Sequence, residues 1–244
     1  MVRIEQVSKR YGNAPRPAVE QLDLEVKRGE IFGFLGPNGA GKSTTIKMMV
    51  GLLRPDTGSI AIDGFDSVKD PMATKMAIGY VPDEPLLYER MSAREYVFFI
   101  CEMFKVSRKD ASVRLDSLAR KFSLLEVLDD RINTFSRGMK QKLGIIAALV
   151  HEPQLLVLDE PMVGLDPRAS FVLKEVMRDF CKSGRSVFFS THVMEVAERL
   201  CDRVGIIGKG RLIACDTFHN LQQRLGNGDG TLEQLFLELT DEHA

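Results

Sequence analysis

Hydrophobic and polar residues alternate strictly near the beginning of the chain. The stretches VRIEQV and LDLEV both alternate, which predicts β-strands that bury one face and expose the other. GSIAIDG, further along, predicts another short strand. The first part of the chain is therefore expected to be rich in half-buried strands.

Later stretches are apolar almost without a break. EIFGFLG ends at a glycine and predicts a parallel strand that is buried on both faces. QLLVLDE predicts another buried strand, and SVFFS predicts a further one. The stretch KSTTIKMMVGLL, which follows the first apolar run, predicts a helix that ends near Gly51.

Between about residues 85 and 150 the periodicity is mostly that of helices. Two helix starts carry the pattern of a capping box, in which a serine and an acid three residues later cap each other: Ser92 with Glu95 and Ser107 with Asp110. Strands and helices then alternate again, with an amphipathic helix predicted at 167–183. This order predicts an α/β core that is interrupted by a helical insert.

The C-terminal part adds a hairpin and a short helix. RVGIIGKGRLIAC predicts two strands that turn at Gly208-Lys209-Gly210, and Thr231 and Gln234 have the spacing that caps a last helix. We therefore divide the chain into an α/β core at 1–84 and 151–215, a helical unit at 85–150 and a C-terminal helical tail at 216–244.

The composition is that of an ordinary globular protein. Of the 244 residues, 44% are apolar and 27% are charged, and the formal net charge is −1. This charge argues against a basic nucleic-acid-binding face, so no nucleic acid is expected as a partner. The four cysteines show no C-x-x-C pair or metal-ligand spacing, so we interpret them as buried or incidental thiols in a reducing cytosol. We expect no signal peptide, and apolar runs such as LGIIAALV are too short to span a bilayer.

The stretch GPNGAGKST matches the phosphate-binding pattern G-x-x-x-x-G-K-[ST] at every position. It lies between a predicted buried strand and a predicted helix, where its glycines let backbone N–H groups converge on phosphate oxygens. Lys42 is placed to reach the β- and γ-phosphates, Ser43 to ligate Mg²⁺ and Thr44 to hydrogen-bond phosphate. The predicted phosphate-binding residues are Gly36, Pro37, Asn38, Gly39, Ala40, Gly41, Lys42, Ser43 and Thr44.

Two acids follow the apolar strand at 155–158. In an open α/β sheet, ligands bind at the carboxyl ends of the strands. We therefore assign Asp159 to the Mg²⁺ shell and Glu160 to polarising the attacking water as a general base. Solvated acids at an ordinary strand end would give the same local sequence, and the phosphate loop favours the catalytic interpretation.

With these motifs in place, the chain resembles the ATPase subunit of ABC transporters over nearly its whole length. The family's motifs occur in the family's order, which chance rarely produces. They are an aromatic at Tyr11, the Walker A loop GPNGAGKST, VPDEP at the Q-loop, FSRGMKQ at the signature, LLVLDEP as Walker B, GLDP as the D-loop and STH ending in the switch His192.

The resemblance implies a role for the second glycine-containing basic stretch, FSRGMKQ. In this family two ATPase domains pack head to tail, and each ATP lies between the Walker A loop of one and the signature of the other. Ser136, Arg137 and Gly138 would then serve the nucleotide of a second ATPase subunit, and Asp166 would contact that subunit. A helix start with free N–H groups suits this role, although a solvated basic helix start would look the same in isolation.

The resemblance also implies the remaining contacts, the fold and the location. Tyr11 would stack on adenine, and His192 would hydrogen-bond the γ-phosphate and position the water, with ATP and Mg²⁺ as the ligands. The implied fold is an α/β P-loop NTPase core with a mixed sheet, an N-terminal antiparallel β subdomain and an inserted α-helical subdomain. Closing and opening of the dimer would drive an integral membrane permease from the cytoplasmic face of the membrane.

Two positions depart from the family's pattern. Arg137 and Met139 replace a glycine and the glutamine of the usual signature, and Arg137 either adds charge near the phosphate or points to solvent. This variant resembles that of ATPases that pair with exporter-type membrane proteins, as does TLEQLFLELT, so export is predicted. Asp83 stands where many members carry the Q-loop glutamine, which touches Mg²⁺ or the lytic water. An aspartate could still accept a hydrogen bond in that catalytic role, but it adds negative charge near Asp159 and Glu160, so both alternatives stay open.

Two other functions fit part of the sequence. A soluble ABC ATPase that acts on ribosomes or nucleic acid would share these motifs. Its translation-type members usually carry two cassettes in one chain, however, and its chromosome and repair types split the cassette with a long coiled coil, whereas no sustained heptads separate Lys42 from Asp159. A P-loop kinase would lack the signature and the switch histidine, so the transporter ATPase is favoured.

Overall fold

The structure, a computed structural model, describes residues 1–224 and 231–241. Its strands are β1 (Val2–Lys9), β2 (Val19–Val26), β3 (Ile31–Leu35), β4 (Thr57–Ile62), β5 (Phe65–Asp66), β6 (Ile78–Val81), β7 (Leu155–Asp159), β8 (Ser186–Thr191), β9 (Arg203–Gly208) and β10 (Arg211–Asp216). Its α-helices are α1 (Lys42–Met49), α2 (Pro71–Ala77), α3 (Ala93–Met103), α4 (Arg108–Lys121), α5 (Arg137–Leu149), α6 (Pro167–Lys182), α7 (Met194–Leu200), α8 (Phe218–Arg224) and α9 (Leu232–Asp241).

Four strands from the first part of the chain form an antiparallel sheet in the order β2-β1-β4-β5. Val2 at the start of β1 pairs with Val26 on one side and with Ile62 on the other, so three aliphatic side chains meet in one row. Buried and exposed side chains alternate along β2, as the period of two requires. The three predicted half-buried strands are confirmed.

The larger sheet has six strands in the order β10-β9-β3-β8-β7-β6. All neighbours are parallel except β10, which pairs antiparallel with β9, so the predicted mixed sheet is confirmed. Every residue of β3, β7 and β8 is buried, because both faces of the sheet are covered. This burial explains why their sequences are apolar without alternation.

Helices α3, α4 and α5 follow one another between β6 and β7, which confirms the predicted helical texture. At α3 the capping box is complete, since Ser92 and Glu95 each accept the other's N–H. At α4 the prediction is only half right. The Ser107 hydroxyl accepts the Asp110 N–H, but the Asp110 carboxylate accepts from that hydroxyl and not from the Ser107 N–H. Aspartate is one methylene shorter than the glutamate that the motif requires.

Two apolar cores lie on the two faces of the six-stranded sheet. On one face the antiparallel sheet and α1 pack against Phe32, Phe34 and Phe188, with ring centroids 5.7 Å and 5.4 Å from that of Phe188. On the other face the helices of the insert and α6 pack against Leu156 and Leu158. Burying each such side chain stabilises the fold by about 1.5–3 kcal/mol. The sheet is therefore fixed from both faces, and so are the ends of its strands.

A third, smaller core holds the C-terminal helices. Leu221 of α8 and Leu235 of α9 pack with Leu35 at the end of β3. Thr231 and Gln234 cap the start of α9 reciprocally, as predicted. The part of the predicted tail at 225–230 and 242–244 lies outside the described residues.

The predicted hairpin is formed by β9 and β10. Its two-residue turn is Lys209-Gly210, and both residues have positive φ, 48° and 83°, as a type I′ turn requires. No helix within 1–224 and 231–241 is long and apolar enough to cross a bilayer.

Candidate functional site

Four parallel strands end at one edge of the larger sheet, and each brings a predicted site residue to that edge. Gly36 follows β3, His192 follows β8, Asp159 ends β7, and Asp83 lies just beyond β6. Because these strands pair in register, their carboxyl ends meet along one crevice. The chain order hides this neighbourhood, since β8 lies between β3 and β7.

The loop between β3 and α1 is shaped by its glycines. A Cβ on Gly36 would lie 2.4 Å from the carbonyl oxygen of Ile207, and a Cβ on Gly41 would lie 2.5 Å from that of Ala18. Gly41 also has a φ of 111°, which residues with side chains rarely adopt. Only glycine therefore fits at either end of this loop. The residues between them are Pro37, Asn38, Gly39 and Ala40.

Lys42 turns its side chain back under this loop. Its ammonium donates to the carbonyl oxygens of Gly36, at 2.7 Å, and of Pro37, at 3.3 Å, and the residue is only 6% exposed. Lys42 also begins α1, whose first turn carries N–H groups without intrahelical partners. A buried cation beside a helix N-terminus and a glycine-rich loop is suited to binding phosphate.

Ser43 and Thr44 complete the first turn of α1. Ser43 is exposed, and the Tyr11 hydroxyl lies 3.5 Å from the Thr44 hydroxyl. The Tyr11 residue is 47% exposed. The structure thus brings the predicted adenine-stacking residue next to the predicted phosphate loop.

The two acids after β7 differ in their surroundings. Asp159 is buried, and its Oδ1 accepts a hydrogen bond from the Ser190 hydroxyl at 2.5 Å. The same hydroxyl accepts the backbone N–H of Glu160 at 3.1 Å. Ser190 therefore fixes both acids at once, a role that motif analysis missed. The available signal was a fully buried serine at the end of the apolar strand SVFFS, since a buried hydroxyl needs a partner.

Glu160 connects the two sides of the crevice. Its carboxylate lies 3.7 Å from the Lys42 ammonium and 3.0 Å from Nδ1 of His192. Glu160 has a φ of 47°, which is uncommon for a residue with a side chain, so the turn after β7 holds it in a strained conformation. A carboxylate held between an imidazole and an ammonium is suited to accepting a proton beside a phosphate.

Asp83 lies on the acidic side of the crevice. Although its side chain is exposed, partial desolvation and the nearby carboxylates of Asp159 and Glu160 raise its pKa above the usual value, and Arg137 opposes this shift. Burial, followed by the charges of Asp159 and Asp83, raises the pKa of Tyr80 to about 12. This side of the crevice therefore has an excess of negative charge that a cation would offset.

The second predicted phosphate-binding stretch lies at the start of α5. The Ser136 hydroxyl caps this helix by accepting the Met139 N–H at 3.2 Å, which leaves N–H groups of the first turn without intrahelical partners. Ser136 and Arg137 are exposed, and Gly138 is half-buried. Within the described part of the chain, no hydrogen bond or ion pair joins these residues to the loop at 36–44. The two predicted phosphate-binding stretches therefore share no hydrogen bond or ion pair among the residues that the structure describes.

Asp166 caps α6 by accepting the Ala169 N–H at 2.8 Å. Its carboxylate also accepts a hydrogen bond from the Lys142 ammonium, which lies 2.9 Å away. The Ala169 N–H and then Lys142 lower the pKa of Asp166. Asp166 thus has a structural role as a cap, whether or not it contacts another subunit.

The donor set suits Mg²⁺. The Ser43 hydroxyl and the Asp159 carboxylate are hard oxygen ligands, and Ser190 occupies only one of the two Asp159 oxygens. The described ranges contain no cluster of three or more His, Cys, Asp or Glu that would hold a metal by itself. Mg²⁺ commonly takes one or two protein oxygens and completes its shell with water and substrate phosphates, so this small set fits it.

Known proteins share both the sequence and the fold. A family model described as ABC transporter matches residues 19–163. The linearmycin resistance ATP-binding protein LnrL of Bacillus subtilis is 40% identical over 96% of this chain and 74% of its own length. The Nod factor export ATP-binding protein I of Rhizobium meliloti is 38% identical over 87% of this chain and 63% of its own length. A solved structure of an ATP-binding subunit of an ABC transporter is 35% identical, with a TM-score of 0.94 over 98% of this chain and 99% of that chain.

Proposed function

This chain belongs to the ABC transporter family as an ATP-binding subunit, and we propose that it hydrolyses ATP to drive export through a separate membrane protein. The observation that carries the proposal is the contact of Glu160 with both Lys42 and His192. This contact unites the phosphate loop, the acid after β7 and the histidine after β8 in one catalytic arrangement.

In the proposed reaction Glu160 accepts a proton from the water that attacks the γ-phosphate. Lys42 binds the β- and γ-phosphates and offsets their charge, which its burial makes more effective. His192 orients the Glu160 carboxylate through Nδ1 and hydrogen-bonds the γ-phosphate. Asp83, which carries a raised pKa, helps to position the water in place of the family's glutamine.

Mg²⁺ would supply Lewis-acid polarisation of the phosphate oxygens. Ser43 and Asp159 would hold it, and the hydrogen bond from Ser190 would keep the Asp159 carboxylate oriented. Tyr11, which is exposed beside Thr44, would stack on the adenine ring. This chain would then contact its ATP from the base to the γ-phosphate.

We propose that the start of α5 binds the ATP of a second ATPase subunit, either a copy of this chain or a related one. Ser136, Arg137 and Gly138 are accessible, offer N–H groups and are not joined to the phosphate loop of their own chain. Asp166, at the start of α6, would contact that second subunit. ATP binding would close the pair and hydrolysis would reopen it, because the nucleotide's charge is fully satisfied only in the closed pair.

The proposed membrane partner, an integral membrane permease, would dock on an apolar groove. This groove, of about 470 Å³, lies between the helical segment and the larger sheet. Leu86 and Leu52 on its rim are 85% and 66% exposed, so they extend the apolar surface of the groove to its edge. Its occupant would be a cytoplasmic segment of the permease with apolar side chains, and the chain would therefore sit at the cytoplasmic face of the membrane.

The proposed direction of transport, export, is based on the functions for which two relatives are named. One relative is named for linearmycin resistance and another for Nod factor export. We also propose the division into a core at 1–84 and 151–215, a helical unit at 85–150 and a tail from 216. The core and the helical unit form the two walls of the groove.

Affinity capture tests the function directly. Tagged Glu160→Gln protein is expressed in its native cell, the membranes are solubilised with ATP and Mg²⁺ present, and the co-purifying proteins are identified by mass spectrometry. Capture of an integral membrane protein that depends on ATP is expected. Capture of ribosomes, nucleic acid or only soluble proteins would contradict the transporter function and favour a soluble ATPase of the same family.

A further inference from the structure

The first turns of α5 carry cations at the wrong end of a helix. Arg137, Lys140 and Lys142 all lie near its N-terminus, where the helix dipole disfavours positive charge, and the first turn contains no acid. Lys140 pairs with Glu89 at 2.5 Å. Lys142 pairs with Asp166 at 2.9 Å, while the Arg137 side chain forms no ion pair within the described ranges. The two lysines are thus anchored inside the chain, whereas Arg137 remains available.

Two further contacts join the start of α5 to the turn before α6. A Cβ on Gly138 would lie 2.9 Å from the carbonyl oxygen of Gly164, so the two backbones touch. The Arg137 side chain covers Gly164 from the other direction, at 3.5 Å from a Cβ position there. With the Lys142–Asp166 pair, these contacts make the helix start and the 164–166 turn one packed unit.

That turn leads back to Glu160 without an intervening flexible segment. The Val163 N–H donates to the Glu160 carbonyl at 3.1 Å, and the Leu165 N–H donates to the Met162 carbonyl at 3.3 Å. Two overlapping hydrogen-bonded turns therefore span residues 160–165, directly before Asp166. A displacement of Asp166 would reach Glu160, whose own backbone is held at a positive φ.

From this geometry we infer that Lys142 is a positioning residue that couples the two ATP sites of a closed pair. The inference rests on the proposed function, in which α5 contacts the ATP held by the other subunit. Lys142 transmits the engagement of that ATP through Asp166 to Glu160 of its own chain. The Lys142 side chain is 15% exposed, so its charge is held in place, whereas Asp166 at 53% exposed can still meet a second subunit.

Mixed dimers show at which of the two ATP sites Lys142 acts. One chain keeps Glu160 and the other carries Glu160→Gln, with different tags so that only mixed pairs are purified in ATP and Mg²⁺. Lys142→Met, which keeps the apolar stem and removes the charge, is placed on either chain. On the chain with intact Glu160 it should lower kcat by about tenfold, and on the other chain by less than about twofold.

Three other results of this experiment would contradict the inference. A loss only when Lys142→Met is on the Glu160→Gln chain would mean that Lys142 merely shapes the signature for the ATP it contacts. Equal losses, or none, would also overturn the inference. Lys142→Arg should restore activity, since its guanidinium also pairs with a carboxylate. Lys182→Met is the matched control, because it removes an exposed pair with Asp179 on the same helix as Asp166.

Hydrogen exchange tests the inference without ATP hydrolysis. In Glu160→Gln dimers, ATP should slow hydrogen exchange of the amides at 160–166, and Lys142→Met should abolish most of that protection while leaving ATP affinity unchanged. Unaltered protection would contradict the inference. If no pair forms with ATP at all, the proposed dimer mechanism fails, and that failure is distinct because it precedes any effect of Lys142.

Discussion

Glu160 is held by three contacts that come from two separate parts of the chain, the phosphate loop and the end of β8. Lys42 approaches from the phosphate loop, His192 approaches from the end of β8, and the Ser190 hydroxyl accepts the Glu160 N–H. The orientation of the proposed base therefore depends on three neighbouring side chains as well as on its own backbone. At this scale, changes that preserve shape are the sharpest tests.

Glu160→Gln should separate binding from chemistry. The amide keeps the size of the side chain but cannot take a proton from water, so kcat should fall by about 10²–10⁴-fold. ATP affinity should change little, as measured by titration calorimetry on the same preparation. Glu175→Gln, an exposed acid on α6, is the control, and near-normal turnover by Glu160→Gln would remove Glu160 from the role of base.

Lys42→Ala should affect binding itself. The buried ammonium is the main cation of the phosphate loop, and charged hydrogen bonds of this kind correspond to about a 10- to 100-fold change in affinity. Fluorescent-nucleotide titration measures the change, with Lys47→Ala on the exposed side of the same helix as control. An unaltered Kd would contradict the assignment of the loop.

Much of the site at this scale could be predicted from sequence, because phosphate binding requires particular residues at fixed spacings. Lys42, Asp159 and His192 do lie along one crevice, as their motifs suggested. Ser190 could not be found in this way. Its role arises from the pairing of β7 with β8, and strand neighbours far apart in the chain leave no local pattern.

At the scale of elements, α5 begins with the Ser136 cap, followed by two residues whose backbone N–H groups have no intrahelical partner. The first of them, Arg137, forms no ion pair in the described ranges. The helix itself is secured by its apolar residues, which pack into the core. Its exposed start can therefore be altered without unfolding the helix. The helix therefore has a packed end and an exposed end, which is the proposed interaction end.

Arg137→Ala tests the interaction end. Alanine is the better helix former, so α5 should remain intact, and a single chain should bind ATP normally. ATP-dependent pairing in a Glu160→Gln background should weaken, as measured by sedimentation velocity. Arg120→Ala, an exposed arginine on α4, is the control. Loss of ATP binding by the unpaired chain would instead place Arg137 at its own nucleotide.

His151, just beyond α5, makes the stability of this region pH-dependent. Its ring stacks on Phe104 at 3.7 Å, and Nε2 donates to the Ile78 carbonyl. Burial lowers its pKa below the usual 6.5, so the folded chain binds this proton more weakly than the unfolded chain. The unfolded state takes up the proton first as pH falls, so stability should decline below pH 6.5 and be recovered above it.

His151→Phe keeps the ring stack and removes the titrating group, so it should lose less stability than the wild type between pH 7.5 and pH 5.5. Urea unfolding at both pH values measures this, and the other histidines are common to both proteins and cancel in the comparison. Equal losses in the two proteins would show that His151 does not contribute to the acid sensitivity.

Prediction of elements was most reliable where the pattern was long. The half-buried strands and the amphipathic helix at 167–182 were identifiable from their periods, and the buried strands β3, β7 and β8 from their unbroken apolar runs. α2 and β6 were missed, because α2 has seven residues and runs directly into the four residues of β6. Neither is long enough to show a period, and only pairing with β7 defines β6 as a strand.

At the scale of the whole molecule, the two large cores hold the sheet rigid while the groove beside it leaves apolar side chains exposed. Val97 and Cys101 of α3 are buried in the core, whereas Phe99 and Met103 of the same helix are exposed. The apolar segment FFICEMF, at residues 98–104, is therefore only partly packed into the core. Its exposed side chains extend the surface available to a partner.

Leu86→Asp tests that surface. Leu86 is 85% exposed, so the charge should leave folding and ATP binding intact while it weakens capture of the membrane partner by at least about tenfold. Quantitative capture from solubilised membranes measures the effect. Val113→Asp, 66% exposed on α4, is the control for a new charge on an exposed apolar position. Undiminished capture by Leu86→Asp would exclude the groove as the docking site.

The position of β3 in the sheet also has a consequence for how the chain is made. Both neighbours of this strand, β8 and β9, come from the last third of the sequence. At about 5–20 residues per second, a ribosome needs roughly 8–30 s after finishing β3 to supply the first of them. During that time the apolar strand that leads into the phosphate loop has no sheet to join. We therefore expect the newborn chain to be prone to aggregation until β8 has been made, and a translation pause after residue 150 to lengthen that interval.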